Sequence, residues 1–488
     1  MTEIKRERPD DYFSDWKERE ALAEAMIPLV GQLSRNNGVK TYIYGKTLVG
    51  GSVITIMQDH RYVRQVEHNE ISEFETFPVI RALCELDLGT AHIDVGRMAV
   101  AYEEETKVSK VSVEAYVAEQ LKDLIGSKRQ PIDQPQDIVL YGFGRIGRLM
   151  ARILVAKADG GDTLRLRAVV VRKSKAENDL VKRASLLRRD SVHGPFNGTI
   201  RVDEENSSIV ANGNEIKVIY ANSPEEVDYT QYGINNAIVV DNTGMWRDEE
   251  GLSQHLKSKG AVKVILTAPG KGDIKNVVHG VNHAIIDTND KIVSAASCTT
   301  NAIVPPLKAM DDEFGIASGH VETVHAYTND QNLIDNFHPA NRRGRSAALN
   351  MVLTETGAAK AVGKVLPQLQ GKLTGNAIRV PTPNVSMAIL NLTLAREVTV
   401  EEVNEYIRQI ALHSPLRKQI DYSNSPEVVS SDFVGSRHAC VFDSEATIVN
   451  GRQVVMYLWY DNEFGYSCQV LRVLEQMAGV AYAVYPKG

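Results

Sequence analysis

The sequence lacks the features that mark several whole classes of protein. It has only four cysteines in 488 residues, and no two of them form a C-x-x-C pair. That count excludes a disulfide framework and a cysteine-rich zinc site, and it suits a reducing compartment. No run of about 18 apolar residues occurs that could span a membrane, and the first residues contain no apolar core of a signal peptide. We therefore expect a cytoplasmic protein that holds no metal ion and does not enter a membrane.

Strong charge is absent too. The formal net charge is −7, with 24% charged and 43% hydrophobic residues, which is the composition of a soluble globular protein. This mild negative charge argues against a nucleic-acid partner, because binding a polyanion requires a basic surface. A chain of 488 residues exceeds one ordinary core, so we expect two or three domains.

The first part of the chain has the pattern of helices. Apolar residues recur at intervals of three and four in DWKEREALAEAMIPLVGQLSR, EFETFPVIRALCELDLG and SVEAYVAEQLKDLIG, which is the spacing of amphipathic helices. We predict an all-helical module of unknown role over residues 1–130. A polar segment with two prolines, at 126–137, is typical of a linker.

From residue 137 onward, short β-branched runs alternate with helical stretches. That alternation predicts a parallel sheet with helices on both faces. Longer alternating runs after residue 323 predict a second, mainly antiparallel sheet. The fold class is therefore α/β, with a Rossmann-type domain and an α+β catalytic domain after the helical module. We place the dinucleotide-binding domain at 134–297 plus 462–488 and the catalytic domain at 298–461.

The segment YGFGRIG places Gly142, Gly144 and Gly147 between a strand and a helix. Dinucleotide binding needs such glycines, because they make a tight turn, admit the pyrophosphate and direct helix amides at it. A tight turn without a ligand is the alternative. The flanking strand and helix favour dinucleotide binding.

The next strand ends in Arg172 and Lys173 rather than in an acid. An acid there would bind the ribose 2′-hydroxyl of NAD, whereas cations can accept the 2′-phosphate of NADP. A solvated basic strand end is the ordinary alternative. The cofactor is thus NAD or NADP, with a slight preference for NADP.

Cys298, in SAASCTTNAIVPPLKAM, raises the question of whether its thiol is reactive. Its neighbours Ser297 and Thr299 are good capping residues, so we expect it near a helix N-terminus, whose positive end favours a thiolate. His325, in ETVHAYTNDQ, could act as its base. A buried, inert thiol is the alternative, since free cysteine is among the most buried residue types. The two prolines that follow leave the exact helix path open.

Six segments occur in one order, namely YGFGRIGR, SCTTN, TVHAYTNDQ, TETGAAKAVGKVLPQLQGKL, RVPTPNVS and WYDNEFGYS. Together they resemble the phosphorylating glyceraldehyde-3-phosphate dehydrogenases, over residues 137–482. The resemblance implies that Cys298 attacks the aldehyde of glyceraldehyde 3-phosphate and that His325 activates the thiol. Hydride would then leave to the nicotinamide, and inorganic phosphate would release the resulting thioester as an acyl phosphate.

The resemblance also implies the binding residues and the partners. Substrate and phosphate binding would fall to Ser297, Thr299, Thr328, Asp330, Thr356, Gly357 and Arg379. Cofactor binding would fall to Gly142, Phe143, Gly144, Arg145, Ile146, Gly147, Arg172, Thr267, Asn462 and Tyr466, with Phe143 and Trp246 packing the pocket. By the same resemblance, the amides of Arg145 and Ile146 would bind the pyrophosphate and Asn462 would hold the carboxamide of the nicotinamide. The implied partners are glyceraldehyde 3-phosphate, inorganic phosphate and further copies of the chain in a homotetramer.

Some residues depart from the family pattern. Tyr141 stands where the family usually has asparagine before the glycine turn. Asn336 and Phe337 replace the Leu-Pro that NAD-specific members usually carry near the neighbouring subunit's adenosine, which also weakens an NAD-only assignment. Ala302 replaces a second cysteine, so an oxidised Cys298 would lack its usual partner.

Two other functions compete with this one. Erythrose-4-phosphate dehydrogenase shares the cysteine, the histidine and much of the fold, but it usually lacks the threonine matching Thr328 and the pair matching Thr356-Gly357. Both features are present here and favour the triose substrate. A regulatory or scaffold protein on the same fold is the other possibility, and the complete set of chemical residues argues against it.

Overall fold

The computed structural model describes residue 4 and residues 8–67, 69–127, 131–157, 163–354 and 357–487. Within these ranges the α-helices are α1 (Tyr12–Asn37), α2 (Val53–Glu67), α3 (Glu73–Cys84), α4 (Val95–Thr106), α5 (Val113–Gln120), α6 (Arg145–Lys157), α7 (Asp179–Arg188), α8 (Glu249–Leu252), α9 (Cys298–Phe314), α10 (Ala358–Val365), α11 (Val400–His413) and α12 (Phe464–Ala478). The strands in the same ranges are β1 (Lys40–Ile43), β2 (Lys46–Thr47), β3 (Ala91–Asp94), β4 (Gln136–Tyr141), β5 (Leu164–Val171), β6 (Ile200–Asp203), β7 (Ser208–Ala211), β8 (Asn214–Tyr220), β9 (Ala237–Asp241), β10 (Ala261–Leu266), β11 (Ile292–Ser294), β12 (Ile316–Ala326), β13 (Val352–Thr354), β14 (Leu373–Val380), β15 (Ser386–Leu394), β16 (Ile420–Ser423), β17 (Cys440–Asn450), β18 (Gln453–Tyr460) and β19 (Ala483–Tyr485). No helix in the described ranges has the length and apolar character needed to cross a membrane.

The chain forms two units, and the first comprises the described residues of 1–134, 159–163 and 480–488. In it, helices α1 to α5 accompany a four-stranded sheet of order β19-β3-β1-β2. The three predicted helices are present as α1, α3 and α5. The prediction of an all-helical module is wrong, because strands of two to four residues are too short to show a clear alternation in the sequence.

One strand of this sheet comes from the other end of the chain. β19 pairs in parallel with β3, with Val484 opposite His92, and Tyr485 is buried in the core of the first unit. Residues 480–487 therefore belong to the first unit, so the part of the range 462–488 that follows Gly479 does not belong to the dinucleotide-binding domain as predicted. A local sequence pattern does not reveal a pairing between the two ends of a chain.

In the described residues of the second unit, an eight-stranded sheet has the order β11-β10-β9-β4-β5-β8-β7-β6. The strands from β11 to β8 are parallel, and β7 and β6 add an antiparallel edge. The predicted Rossmann-type sheet is thus confirmed. Among the parallel strands, chain order runs outward in both directions from β4 and β9, through β5 and β8 on one side and through β10 and β11 on the other. Such a switch point opens a crevice at the carboxyl ends of the strands, where dinucleotides bind.

A second sheet has the order β13-β14-β12-β15-β18-β17-β16. Its pairs are antiparallel except for β12–β14 and β16–β17, so the prediction of a mainly antiparallel sheet is confirmed. Helix α9 contacts this sheet and is buried along most of its length. Pro305 and Pro306 lie inside α9 without ending it, because burial offsets the hydrogen bonds that proline does not donate.

Candidate active site

The candidate nucleophile lies on a tight turn between a strand and a helix. After β11, Ala296 takes a left-handed backbone conformation with φ 56°, and Cys298 is the first residue of α9. Ser297 caps this helix, since its Oγ accepts a hydrogen bond of 3.0 Å from the Thr300 N–H. The Tyr466 hydroxyl donates to the Ala296 carbonyl at 2.8 Å. It thereby helps to hold a conformation that costs a non-glycine residue about 1–3 kcal/mol.

His325 stands next to this thiol. It lies near the end of β12, and its Nε2 is 3.5 Å from Cys298 Sγ. Its Nδ1 is 2.7 Å from the Ala326 carbonyl, which only accepts, and 2.9 Å from Arg379 Nη1, which only donates. We assign the ring proton to Nδ1, because the contact with the carbonyl is the shorter one and Nη1 has the Ala326 carbonyl and Thr328 as acceptors. The unprotonated Nε2 then faces the thiol as a base.

Arg379 lies on the other side of the imidazole. β12 and β14 are parallel neighbours whose register places His325 directly opposite Arg379. The guanidinium donates to the Ala326 carbonyl at 3.1 Å and to Thr328 Oγ1 at 3.3 Å. Its Nη1 is 2.9 Å from His325 Nδ1. A fixed positive charge is therefore separated from the thiol by a single imidazole ring.

Burial dominates the protonation of this pair. Although Cys298 keeps partial access to solvent, desolvation raises the pKa of its thiol, and the charge of Arg379 only opposes that rise. The pKa of His325 falls to about 3, first because of burial and second because of Arg379. Burial thus favours the uncharged forms, a thiol beside an imidazole, and it opposes the thiolate that the helix end favours. A helix end contributes only about 0.3–1 kcal/mol, too little to offset the desolvation of an anion.

A cavity of about 230 Å³ borders on the imidazole of His325 and on the two residues that flank Cys298 in the sequence. Its walls include His325, Arg379 and three residues predicted to bind phosphate, Ser297, Thr299 and Gly357. Hydroxyls, backbone amides and a guanidinium in one cavity can bind an oxyanion reversibly. Thr356, also predicted for this site, lies outside the described residues.

The predicted substrate-phosphate residues form one connected group. Thr328 donates to Asp330 Oδ1, and Asp330 Oδ2 accepts a 2.6 Å hydrogen bond from Arg343, which also donates to Thr354 at 3.0 Å. Sequence reasoning missed Arg343, although the arginines of the NRRGRS segment were a signal for it. With Arg379, two guanidinium groups stand against one carboxylate, and the excess positive charge suits a phosphate.

The glycine turn has the shape that a pyrophosphate needs. Gly142 has φ 94°, a conformation that side chains disfavour. A Cβ at Gly147 would lie 2.3 Å from the Gly142 carbonyl oxygen, so α6 approaches the strand this closely only with glycine there. A Cβ at Gly144 would meet no described heavy atom within 4 Å, which leaves an open approach to the backbone. α6 then begins, so the amides of Arg145 and Ile146 belong to a helix N-terminus, which fits an anionic ligand.

Aromatic side chains surround the end of β4. Phe143 is buried, and the half-buried Trp246 meets Tyr141 edge-on, with ring centroids 5.9 Å apart. Tyr141 also meets the ring of His255 at 4.7 Å. An aromatic cluster thus occupies the position where the sequence comparison expected a polar asparagine.

Asn462 is oriented by a relay of two hydrogen bonds. The Ser386 hydroxyl accepts from the Ala326 N–H at 3.0 Å and donates to Asn462 Oδ1 at 2.8 Å. The amide nitrogen of Asn462 is thereby the donor that a carboxamide oxygen would need. Thr267 follows β10 at the carboxyl end of the parallel sheet, where its hydroxyl donates to the Asp241 carbonyl at 3.0 Å.

Comparison with known proteins agrees with this arrangement. A family model described as "Glyceraldehyde 3-phosphate dehydrogenase, NAD binding domain" matches residues 136–249, and one described as "Glyceraldehyde 3-phosphate dehydrogenase, C-terminal domain" matches residues 297–462. A glyceraldehyde-3-phosphate dehydrogenase-like protein of Pseudomonas aeruginosa is 63% identical over 464 residues, which are 95% of this chain and 100% of that protein. The chain belongs to the glyceraldehyde-3-phosphate dehydrogenase family.

Other members of the glyceraldehyde-3-phosphate dehydrogenase family match a smaller share of the chain. One from Cupriavidus necator is 40% identical over 350 residues, which are 71% of this chain and 98% of the relative. One from Zymomonas mobilis is 39% identical over 346 residues, which are 70% of this chain and 98% of the relative. Almost the whole length of each of these two relatives aligns with this chain, whereas more than a quarter of this chain has no counterpart in them. The Pseudomonas aeruginosa protein matches nearly all of it.

The end of β5 carries the charge that separates NAD from NADP in dehydrogenases of this fold. Arg172 and Lys173 are exposed there. The carboxylate of the nearby Asp179 already has hydrogen-bond partners. It accepts hydrogen bonds from Arg183 at 2.6 Å and from the Tyr220 hydroxyl at 2.9 Å. Asp179 therefore holds its own loop and is not positioned as a ribose ligand.

Three residues of this dehydrogenase site were given no role in the sequence analysis, although they lie in segments that it quoted. They are Ala296 with its left-handed backbone, Ser386 with its relay to Asn462, and Tyr460. Tyr460 is buried at the end of β18, and its hydroxyl lies 3.0 Å from Thr299 Oγ1. Ser386 and Tyr460 support residues that are distant in sequence, and the backbone conformation of Ala296 has no signature in its residue type, so the folded chain reveals all three roles.

Proposed function

We propose that the protein reversibly oxidises and phosphorylates glyceraldehyde 3-phosphate to 1,3-bisphosphoglycerate, with NAD(P) as the oxidant. One observation carries the proposal. Cys298 Sγ lies 3.5 Å from the base nitrogen of His325, and Arg379 lies on the far side of the same imidazole. A nucleophile, its base and a cation for phosphate are thus adjacent, which suits an aldehyde that carries a phosphate.

In the first step the Cys298 sulfur adds to the aldehyde carbon. The thiol proton passes to His325 Nε2 as the C–S bond forms, and the imidazolium returns it to the carbonyl oxygen to complete a thiohemiacetal. A neutral thiol beside a neutral base suits this transfer, because neither group has to hold a charge in a desolvated site beforehand. The Cys298 N–H, at the start of α9, can stabilise the developing oxyanion.

The next steps convert this adduct into the product. Bound NAD(P) supplies the hydride acceptor. His325 takes the hydroxyl proton as the C–H bond breaks, which leaves a thioester on Cys298. Inorganic phosphate held by Ser297 and Thr299 attacks the thioester carbonyl, and the departing sulfur regains a proton from His325. The thioester keeps the oxidation energy in a form that phosphate can accept.

The proposal predicts turnover that depends on phosphate. With glyceraldehyde 3-phosphate and NAD(P), the wild-type protein should reduce the dinucleotide continuously only when inorganic phosphate is present, because phosphate releases the thioester. Without phosphate, a burst of one reduced nicotinamide per Cys298 should precede slow hydrolysis. Stopped-flow absorbance of the reduced nicotinamide measures both phases. Equal steady-state rates with and without phosphate, or a higher kcat/KM for erythrose 4-phosphate, would contradict the proposal.

We infer that NADP is accepted and slightly preferred over NAD. The support is the pair of exposed cations at the end of β5, together with an acid, Asp179, that is already committed to Arg183. A 2′-phosphate would find a positive partner there. A bare 2′-hydroxyl would find no carboxylate placed for it among these residues.

Arg172→Asp should therefore change the choice of dinucleotide. A charge-assisted hydrogen bond contributes about 1.5–3 kcal/mol, so the ratio of kcat/KM for NADP to that for NAD should fall about 10-fold or more. Steady-state kinetics with each dinucleotide measure the ratio. Arg201→Asp is the matched control, because Arg201 is exposed on β6 at the far edge of the sheet. An unchanged ratio in Arg172→Asp would remove Arg172 from the cofactor site.

We infer that copies of the chain assemble as a homotetramer. Apolar side chains are exposed throughout one region, comprising Leu333, Ile334, Phe337, Leu349, Met351 and Leu353. Phe337 is 87% exposed. An apolar surface of this extent is unfavourable in water, and a second copy would cover it.

A further inference from the structure

Charged side chains link the two ends of the proposed dinucleotide site. Arg145, the first residue of α6, directs its guanidinium at Glu463, with Nε 2.9 Å from Oε1 and Nη2 in contact with Oε2. The same guanidinium contacts Asp190 and lies 3.3 Å from His193 Nδ1. Glu463 immediately follows Asn462 in the chain. The Arg145–Glu463 pair therefore joins the glycine turn to the residue that would hold the carboxamide.

Asn462 is fixed from its other side as well. Asp461 accepts hydrogen bonds from the backbone N–H groups of Glu463 at 2.9 Å and Phe464 at 2.8 Å. Its second carboxylate oxygen lies 3.0 Å from His193 Nε2. In the Arg145–Glu463 pair, the side chains are 31% and 15% exposed, so the pair is partly shielded from water. Charge pairs shielded from water in this way interact more strongly than pairs on the surface.

We propose that Glu463 is a positioning residue for the nicotinamide half of the dinucleotide, acting through Arg145 and Asn462. This rests on the proposed function, in which Asn462 holds the carboxamide and the glycine turn holds the pyrophosphate. One dinucleotide has to reach both points, so their separation decides how well the nicotinamide is held. The Arg145–Glu463 pair sets that separation before the cofactor binds, and less ordering is needed on binding.

Asp190 offers a matched comparison. It pairs with the same guanidinium, but its other carboxylate oxygen accepts two backbone N–H groups of its own loop at 2.9 Å. It thus holds the loop of His193, and it reaches the segment of Asn462 only indirectly, through the contact of His193 with Asp461. Loss of either acid leaves Arg145 with one carboxylate partner, so neither variant leaves an unpaired guanidinium in the site. Only the loss of Glu463 removes the direct contact between Arg145 and the segment that contains Asn462.

The test compares two ligands by titration calorimetry. One is the dinucleotide that the wild-type protein binds more tightly, and the other is the same molecule without its nicotinamide, ADP-ribose or 2′-phospho-ADP-ribose. Glu463→Gln should weaken dinucleotide binding about 10-fold and weaken binding of the fragment less than about 2-fold. Asp190→Asn should change both affinities by the same factor.

Each outcome decides the inference. Equal losses for both ligands in Glu463→Gln, or no loss for either, would overturn it. If Glu463→Gln does not fold, Arg145→Lys should show the same selective loss, because one ammonium does not hold both carboxylates. Failure of the proposed function is distinguishable from failure of this inference. A protein with the selective binding loss but without aldehyde oxidation would contradict the activity and leave the positioning role intact.

Discussion

Cys298→Ser should lower aldehyde-dependent reduction of the dinucleotide by ~10⁴-fold or more, the scale on which loss of a nucleophile acts. Serine keeps the size of the side chain, but its hydroxyl is far less acidic than a thiol. The neutral imidazole 3.5 Å away would have to activate it alone. An oxygen ester would also transfer its acyl group to phosphate less readily than a thioester. The measurement is kcat at saturating substrate, with dinucleotide binding recorded on the same sample to show that the site is folded.

Cys440 supplies the control for this experiment. It is a free cysteine buried in β17, and desolvation raises the pKa of its thiol. Cys440→Ala should therefore keep the wild-type kcat and change only the thermal stability, through the small cavity that it leaves. Near-wild-type turnover in Cys298→Ser would contradict the covalent mechanism. It would leave membership of the family untouched, since that rests on the whole chain.

The parts of the site that could be predicted from the sequence are those with a local cause. Gly142, Gly144 and Gly147 follow from the geometry of one strand–turn–helix connection, and their roles can be read from three positions. Ser297 next to Cys298 indicated a helix start for the same reason. The partnership with a histidine 27 residues away has no local cause. The sequence alone offered His325 as a possible base, and the resemblance of several motifs to a known family made it the expected one.

The parts that could not be predicted depend on distances through space. The pKa of the Cys298 thiol depends on all the groups around it, with burial as the largest influence. The sequence indicated only the helix end, which makes one of the smaller contributions to that pKa. Arg343 and Glu463 reach the site through side chains whose partners are far away in the sequence. The sheet of the first unit includes β19 from the C-terminal end of the chain. Its partner β3 lies near the other end, so no short stretch of sequence contains both paired strands.

Arg379→Gln should raise the KM for glyceraldehyde 3-phosphate about 10- to 100-fold, because a charge-assisted hydrogen bond to phosphate contributes about 1.5–3 kcal/mol. Glutamine removes the charge and, because its side chain is shorter, also the hydrogen bonds of Nη1 to the Ala326 carbonyl and to Thr328. Arg345→Gln is the matched control, since Arg345 is 67% exposed and pairs with Asp335. Steady-state kinetics on both variants should show the increase in KM in Arg379→Gln alone.

The same substitution should move the pH dependence of the Cys298–His325 pair in one direction. The charge of Arg379 lowers the pKa of His325 and opposes the rise that burial causes in the pKa of Cys298. Without that charge both pKa values rise. The thiol then ionises at higher pH, and the pKa of the imidazole increases from its present value of about 3. Alkylation of Cys298 by iodoacetamide, followed against pH by peptide mass spectrometry, should show its inflection displaced to higher pH in Arg379→Gln. An unchanged inflection would mean that the charge does not act across the imidazole, and Arg379 would then serve substrate binding alone.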